Sequence, residues 1–81
     1  MQACMSIKNN SKIPISVLID DEYFFSEILP GETTFCKKVN CGSFRLTVLN
    51  NRSRVIYDLW LSAYGGSRHT LTINSTSCIF T

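Results

Sequence analysis

Residues 42–62 alternate apolar and polar positions with the period of two that marks a half-buried β-strand. Phe44, Leu46 and Val48 stand on one face, with Arg45, Thr47 and Leu49 on the other. Residues 55–61 repeat the pattern, with Val55, Tyr57, Leu59 and Leu61 against Ile56, Asp58 and Trp60. The polar segment Asn50-Asn51-Arg52-Ser53 between the two predicts a hairpin. This hairpin is the expected centre of the fold, and its second strand is expected to be a central one.

The rest of the chain follows the same rule. Met5 and Ile7 alternate with Cys4, Ser6 and Lys8, a short first strand expected at a sheet edge and ended by Asn9-Asn10-Ser11-Lys12. Pro14 has no N–H to give a ladder, so it marks the start of a second strand, 15–19. Asp20-Asp21-Glu22 interrupts before β-type residues resume at 23–28, and a tight hairpin is the economical connection. Leu29-Pro30-Gly31-Glu32 predicts a turn, because proline presets φ at the second position and glycine accepts a positive φ at the third. In the segment 33–39 Lys37 falls in the row of Phe35 and Val39, which points to an edge strand or a bulge, closed by Asn40-Cys41-Gly42. After a flexible turn at 63–67, His69, Leu71 and Ile73 share one face of a further strand, and Cys78-Ile79-Phe80 adds a last short one.

No stretch carries helical periodicity over three turns, and turn signals recur every roughly 8–12 residues, as in sandwiches and barrels. The expected fold is all-β: a compact antiparallel two-sheet sandwich of seven or eight short strands with an immunoglobulin-like order, a single domain over 1–81. A chain of 81 residues buries only a thin core, which two layers supply.

The formal net charge of +2, from eight basic and six acidic residues, gives little attraction to a phosphate backbone, so no nucleic-acid partner is expected. No run approaches the roughly 18 apolar residues of a membrane span. The chain begins without a basic segment followed by an apolar one, which reads as cytoplasmic as it stands and as exported if a leader was removed. Cys4, Cys36, Cys41 and Cys78, even with His69, lack the close pairs of a structural zinc site. Cys36 with Cys41, and Cys4 with Cys78, are conceivable disulfides, but reduced thiols packed as small apolar groups are the expected state. Asp20-Asp21-Glu22 lacks the alternate ligand spacing of a calcium loop and reads as a plain turn. His69 lies on an apolar row and reads as a structural histidine rather than a general base. No catalytic residue, metal or cofactor is expected. Asn9-Asn10-Ser11, Asn51-Arg52-Ser53 and Asn74-Ser75-Thr76 match the glycosylation acceptor pattern, which has force only in a secreted chain.

The surplus is aromatic. Trp60, Ile56 and Asp58, with Leu49 of the partner strand, would form an exposed patch if that face is left uncovered. Tyr23 and Phe24 join the candidate interaction residues, because Tyr23-Phe24-Phe25 cannot hide three rings on one face of a strand.

Three segments taken together are Val17-Leu18-Ile19-Asp20, Ile28-Leu29-Pro30-Gly31-Glu32, and Gly42-Ser43-Phe44-Arg45-Leu46-Thr47-Val48. Their layout resembles that of small bacterial PEGA-type β-sandwich modules over about residues 13–74, although the Pro-Glu-Gly-Ala tetrapeptide is absent. The resemblance implies a non-enzymatic binding or surface module. The leading expectation is a module that binds another protein, or forms a homo-oligomer, through an exposed sheet face or edge strand. Alternatives are a carbohydrate- or small-ligand-binding sandwich and a stand-alone inhibitor protein of a mobile element or virus.

Overall fold

The inward row Ala3, Met5, Ile7 and Asn9 makes the first strand, β1 (Gln2–Asn9), eight residues long, and sets the centre of one sheet. In the computed structural model, which describes residues 2–81, seven more strands follow: β2 (Ile15–Ile19), β3 (Glu22–Ile28), β4 (Lys37–Asn40), β5 (Gly42–Leu49), β6 (Val55–Ala63), β7 (Arg68–Ile73) and β8 (Cys78–Phe80). They form two four-stranded sheets, ordered β4-β1-β7-β8 and β3-β2-β5-β6. Met5, Ile7, Leu71 and Ile73 of the first sheet and Ile15, Val17, Leu46 and Val48 of the second are at most 1% exposed and form the core between them. The all-β sandwich expected from the pattern is the fold.

Two strands sit elsewhere than expected. β1 is interior, antiparallel to β4 and parallel to β7. A parallel neighbour needs a long crossover, and residues 10–67, most of the chain, lie between these two strands. β6, expected to be central, has only β5 beside it and forms an edge. Its inward residues Tyr57, Leu59 and Leu61 are accordingly half-buried, and Val55 is exposed.

The turns obey their residues. Asp20 and Asp21, at φ of 49° and 66°, form the two-residue loop of the β2–β3 hairpin. Two central residues at positive φ match the twist of the flanking strands, and Asp tolerates that region. In the next turn Gly31 takes φ of 85° and Glu32 N–H donates to the Leu29 carbonyl at 3.0 Å.

Asn9 is the polar exception in the core. Fully buried, its Nδ2 donates to the carbonyls of Ile13 and Ile28, both at 2.9 Å. Its Oδ1 accepts from Ser11 N–H at 2.9 Å and Ser11 Oγ at 2.6 Å. The amide thus fills its hydrogen-bonding capacity, and burial costs it no unpaired group. Its backbone N–H donates to Glu32 and its carbonyl accepts from Gly31, so one residue ties the 10–13 and 29–32 turns to β1. The acceptor pattern at Asn9 is therefore closed to modification in the folded chain.

A disulfide joins Cys4 to Cys36, whose Cα atoms are 5.2 Å apart, in place of the reduced thiols or the pairings Cys36–Cys41 and Cys4–Cys78 expected from sequence. Register explains the choice. Cys4 stands opposite Lys38 across the β1–β4 ladder, which brings Cys36 alongside, whereas β7 separates β1 from β8 and keeps Cys78 away.

Candidate interaction surface

An edge strand presents a row of unpaired backbone donors and acceptors, and proteins blunt such rows with short length, lysines, prolines or bulges. Three of the four sheet edges here are blunted. β4 has four residues and carries Lys37 and Lys38, and β8 has three. β3 shifts register against β2 twice, so that residues are added on the β3 side, and Glu27 within it sits at φ of 51°.

β6 is different. At nine residues it is the longest described strand, and it contains no lysine, arginine, proline or glycine. Its one irregularity lies at its start, where the extra residue Ile56 falls between the pairs Leu49↔Val55 and Val48↔Tyr57.

The ladder also fixes which β6 groups are unpaired. Arg45 N–H donates to Asp20 Oδ1 at 3.1 Å and its carbonyl accepts from Asp20 N–H at 2.9 Å, so the Arg45 backbone faces β2. Arg45 is paired with Trp60, which is therefore a non-hydrogen-bonded pair in the β5–β6 ladder. The N–H and C=O of Trp60 consequently point away from β5 to the open edge, and by the same alternation so do those of Asp58 and Ser62.

The side chains of these residues lie on the outer face. Trp60 is 73% exposed. Asp58 accepts two hydrogen bonds from Arg45, from Nε at 2.9 Å and from Nη2 at 2.6 Å. Those bonds hold the Asp58 carboxyl below its ordinary value and raise the Arg45 guanidinium. Ser62 Oγ is 3.2 Å from Ser43 Oγ. The edge thus presents an indole, a neutralised carboxylate and a hydroxyl.

The other candidates are dispersed. Tyr23 is exposed, but β3 lies at the far edge of the sheet from β6, about 14 Å away at three strand spacings. Phe24 is buried, contrary to its place among the expected contact residues, because the β3 register shift turns it into the core. Phe25 packs edge-on between Phe24 and Phe35, with centroids at 4.9 and 5.2 Å. Leu49 is half-buried, and Ile56 is exposed at the bulge. Trp60 and Asp58 are thus the members of the set that stand together, and the backbone groups beside them were not visible in the apolar pattern.

No protein-family model matches the chain, and no curated protein matches its sequence. What the surface can do therefore rests on its own geometry.

Elsewhere, Lys37 Nζ donates to the Phe24 carbonyl at 2.9 Å and lies 5.2 Å from the centroids of both Phe24 and Phe25, linking β4 to β3 across the sandwich. Beside it opens a cleft of about 280 Å³ lined by Asp20, Tyr23, Lys37 and Asn40 among others. His69 is buried and stacked on Phe80, with ring centroids 4.8 Å apart. Tyr64 N–H donates to its Nε2 at 3.5 Å, which leaves Nδ1–H to donate to the Thr81 carbonyl at 3.2 Å. The Tyr57 O–H reaches the carbonyls of Asn74 and Ser77, at 2.9 and 3.1 Å, and desolvation raises its pKa. Among the described residues no three His, Cys, Asp or Glu side chains converge on a metal-binding point. No described helix is long and apolar enough to cross a membrane.

Proposed function

We propose that this chain is a non-enzymatic protein–protein interaction module of immunoglobulin-like kind that binds through the open edge of β6 and the outer-face side chains beside it. One observation carries the reading: the longest described strand is an edge whose single bulge lies at its start and leaves residues 57–63 regular, and it presents the most exposed large apolar side chain of the described residues, Trp60, near its middle. Addition of a strand to such an edge supplies backbone hydrogen bonds for affinity and alternate side chains for specificity. The environment of His69, held by backbone groups and Phe80, supports the non-enzymatic part.

A photo-crosslinking amino acid at position 60, in cells that make the protein, tests this. Adducts of discrete mass, to another protein or to the chain itself, are expected from position 60 and not from the exposed Lys12. Equal labelling from both positions, or none from position 60, overturns the proposal.

A further inference from the structure

We infer that the occupant of the β6 edge is β6 of a second copy, paired antiparallel about a two-fold axis at Trp60. This inference rests on the interaction reading above and names its partner. The residues whose N–H and C=O face the open edge are Asp58, Trp60 and Ser62, a set symmetric about Trp60. Turned upon itself, the edge sets Trp60 opposite Trp60 of the second copy, and Asp58 opposite Ser62 of that copy on both sides of the axis. Each opposed pair exchanges two N–H···O bonds, about six across the interface.

Side-chain polarity selects this register over its neighbours. It places a hydroxyl donor against each Asp58 carboxylate, with Ser43 beside Ser62 continuing the polar row. An axis at Asp58 would oppose two carboxylates, and directly opposed like charges destabilise a ladder. An axis at Ser62 would carry Asp58 beyond the end of β6 at Ala63 and halve the ladder. With the axis at Trp60 the two indoles meet side by side on the outer face, each flanked by the Arg45 of its own chain, whose charge Asp58 already balances. The row Arg45–Trp60 followed by its symmetry mate brings no unpaired charge to the junction.

The state of the other edges explains why assembly stops at two. After β6 is paired, the joined sheet ends on β3 at each side, bulged and carrying Glu22 and Glu27, while the first sheet keeps its lysine-bearing and three-residue edges. An isologous contact closes on itself, and no open edge remains to extend it into a fibre.

Sedimentation equilibrium across micromolar to millimolar chain concentrations, with hydrogen exchange at matched concentrations, tests the inference. The expected result is a monomer–dimer equilibrium in which the amides of Asp58, Trp60 and Ser62 gain protection as dimer forms. Ser62→Asp sets like charges opposite each other at two symmetric positions and should weaken the dimer by about tenfold. Ser62→Lys faces Asp58 of the second copy and should keep or tighten it at low salt. Trp60→Lys should yield a monomer with an unchanged far-ultraviolet spectrum. A chain that stays monomeric throughout, a dimer indifferent to all three substitutions, or equal weakening by Ser62→Asp and Ser62→Lys overturns the inference. Crosslinks from position 60 to a different protein, with a monomer in sedimentation, would sink the self-pairing and leave the interaction reading standing.

Discussion

β1 and β6 are nearly equal in length and alike in alternation, yet the fold treats them oppositely. β1 is flanked by β4 and β7, and its inward residues are at most 4% exposed. It is bonded covalently through Cys4 to Cys36, and at its end Asn9 ties down two turns. β6 is held by β5 on one side, by the Tyr57 hydroxyl reaching the 74–77 turn, and by an inward row that is only half-buried. The difference teaches that an apolar alternation reports one buried face and says nothing of how many neighbours a strand has. Stability is concentrated where bonds of several kinds converge on one strand, and the surface left for a partner is where they do not.

The largest expected effect tests the Asn9 end. Asn9→Ala would strip the Ile28 carbonyl and the Ser11 N–H of their side-chain partner, while the Ile13 carbonyl keeps Ser11 Oγ at 3.0 Å. At about 1–3 kcal/mol for each group left unpaired, together with the void opened at a fully buried position, the cost is about 3–5 kcal/mol. That is a large share of the stability of a small domain. Urea denaturation followed by tryptophan fluorescence measures it, and a midpoint equal to wild type would erase the contrast between the two strands.

Next comes the disulfide. It closes a loop with a sequence separation of 32, for which the chain-entropy account gives roughly 3–4 kcal/mol. Reduction should lower the denaturation midpoint accordingly. Thiol titration of the unfolded, unreduced chain should find two reactive groups, Cys41 and Cys78, and all four cysteines after reduction. Four reactive thiols before reduction would remove the covalent half of the comparison.

Most of the strands were legible because period-two patterning and turn chemistry are local. Residues 15–19 and 78–80 have the bounds expected, and the Asp20-Asp21 and Pro30-Gly31 turns form where the residues call for them. What the sequence could not show is the order of strands within the sheets, since neighbours in space are set by long-range pairing. This is why β1 was expected at an edge and β6 in the middle. Asn9 is legible in principle: position 9 continues the row of Ala3, Met5 and Ile7, but asparagine is so common in turns that composition points to a turn there. The Cys4–Cys36 bridge needed the β1–β4 register, which no residue spacing reveals. For the candidate surface, Trp60 and Asp58 stood out as chemistry. Phe24 turns inward because a bulge resets parity, and the open amides of β6 follow from the Arg45 backbone facing β2, a pairing that no local pattern encodes.

The smallest effect tests the β6 side. Asp58 lies below its ordinary value of 3.8 because Arg45 donates two bonds to its charged form. A carboxyl whose folded value is lowered adds stability that is present above its unfolded value and disappears as pH falls through the folded one. Wild type should therefore exceed Asp58→Asn slightly at neutral pH, and the gap should close on acidification below about pH 4 and with added salt, because both partners are exposed and screened. Asn9→Ala has no such titration, so its deficit should persist over the same range. Denaturation midpoints of the two variants against pH would separate a strand held by buried neutral bonds from one whose polar contacts lie in water. A gap for Asp58→Asn that stays constant through the acid range would mean that the Arg45–Asp58 charge pair contributes nothing to it, and would remove the polar half of the contrast between the two strands.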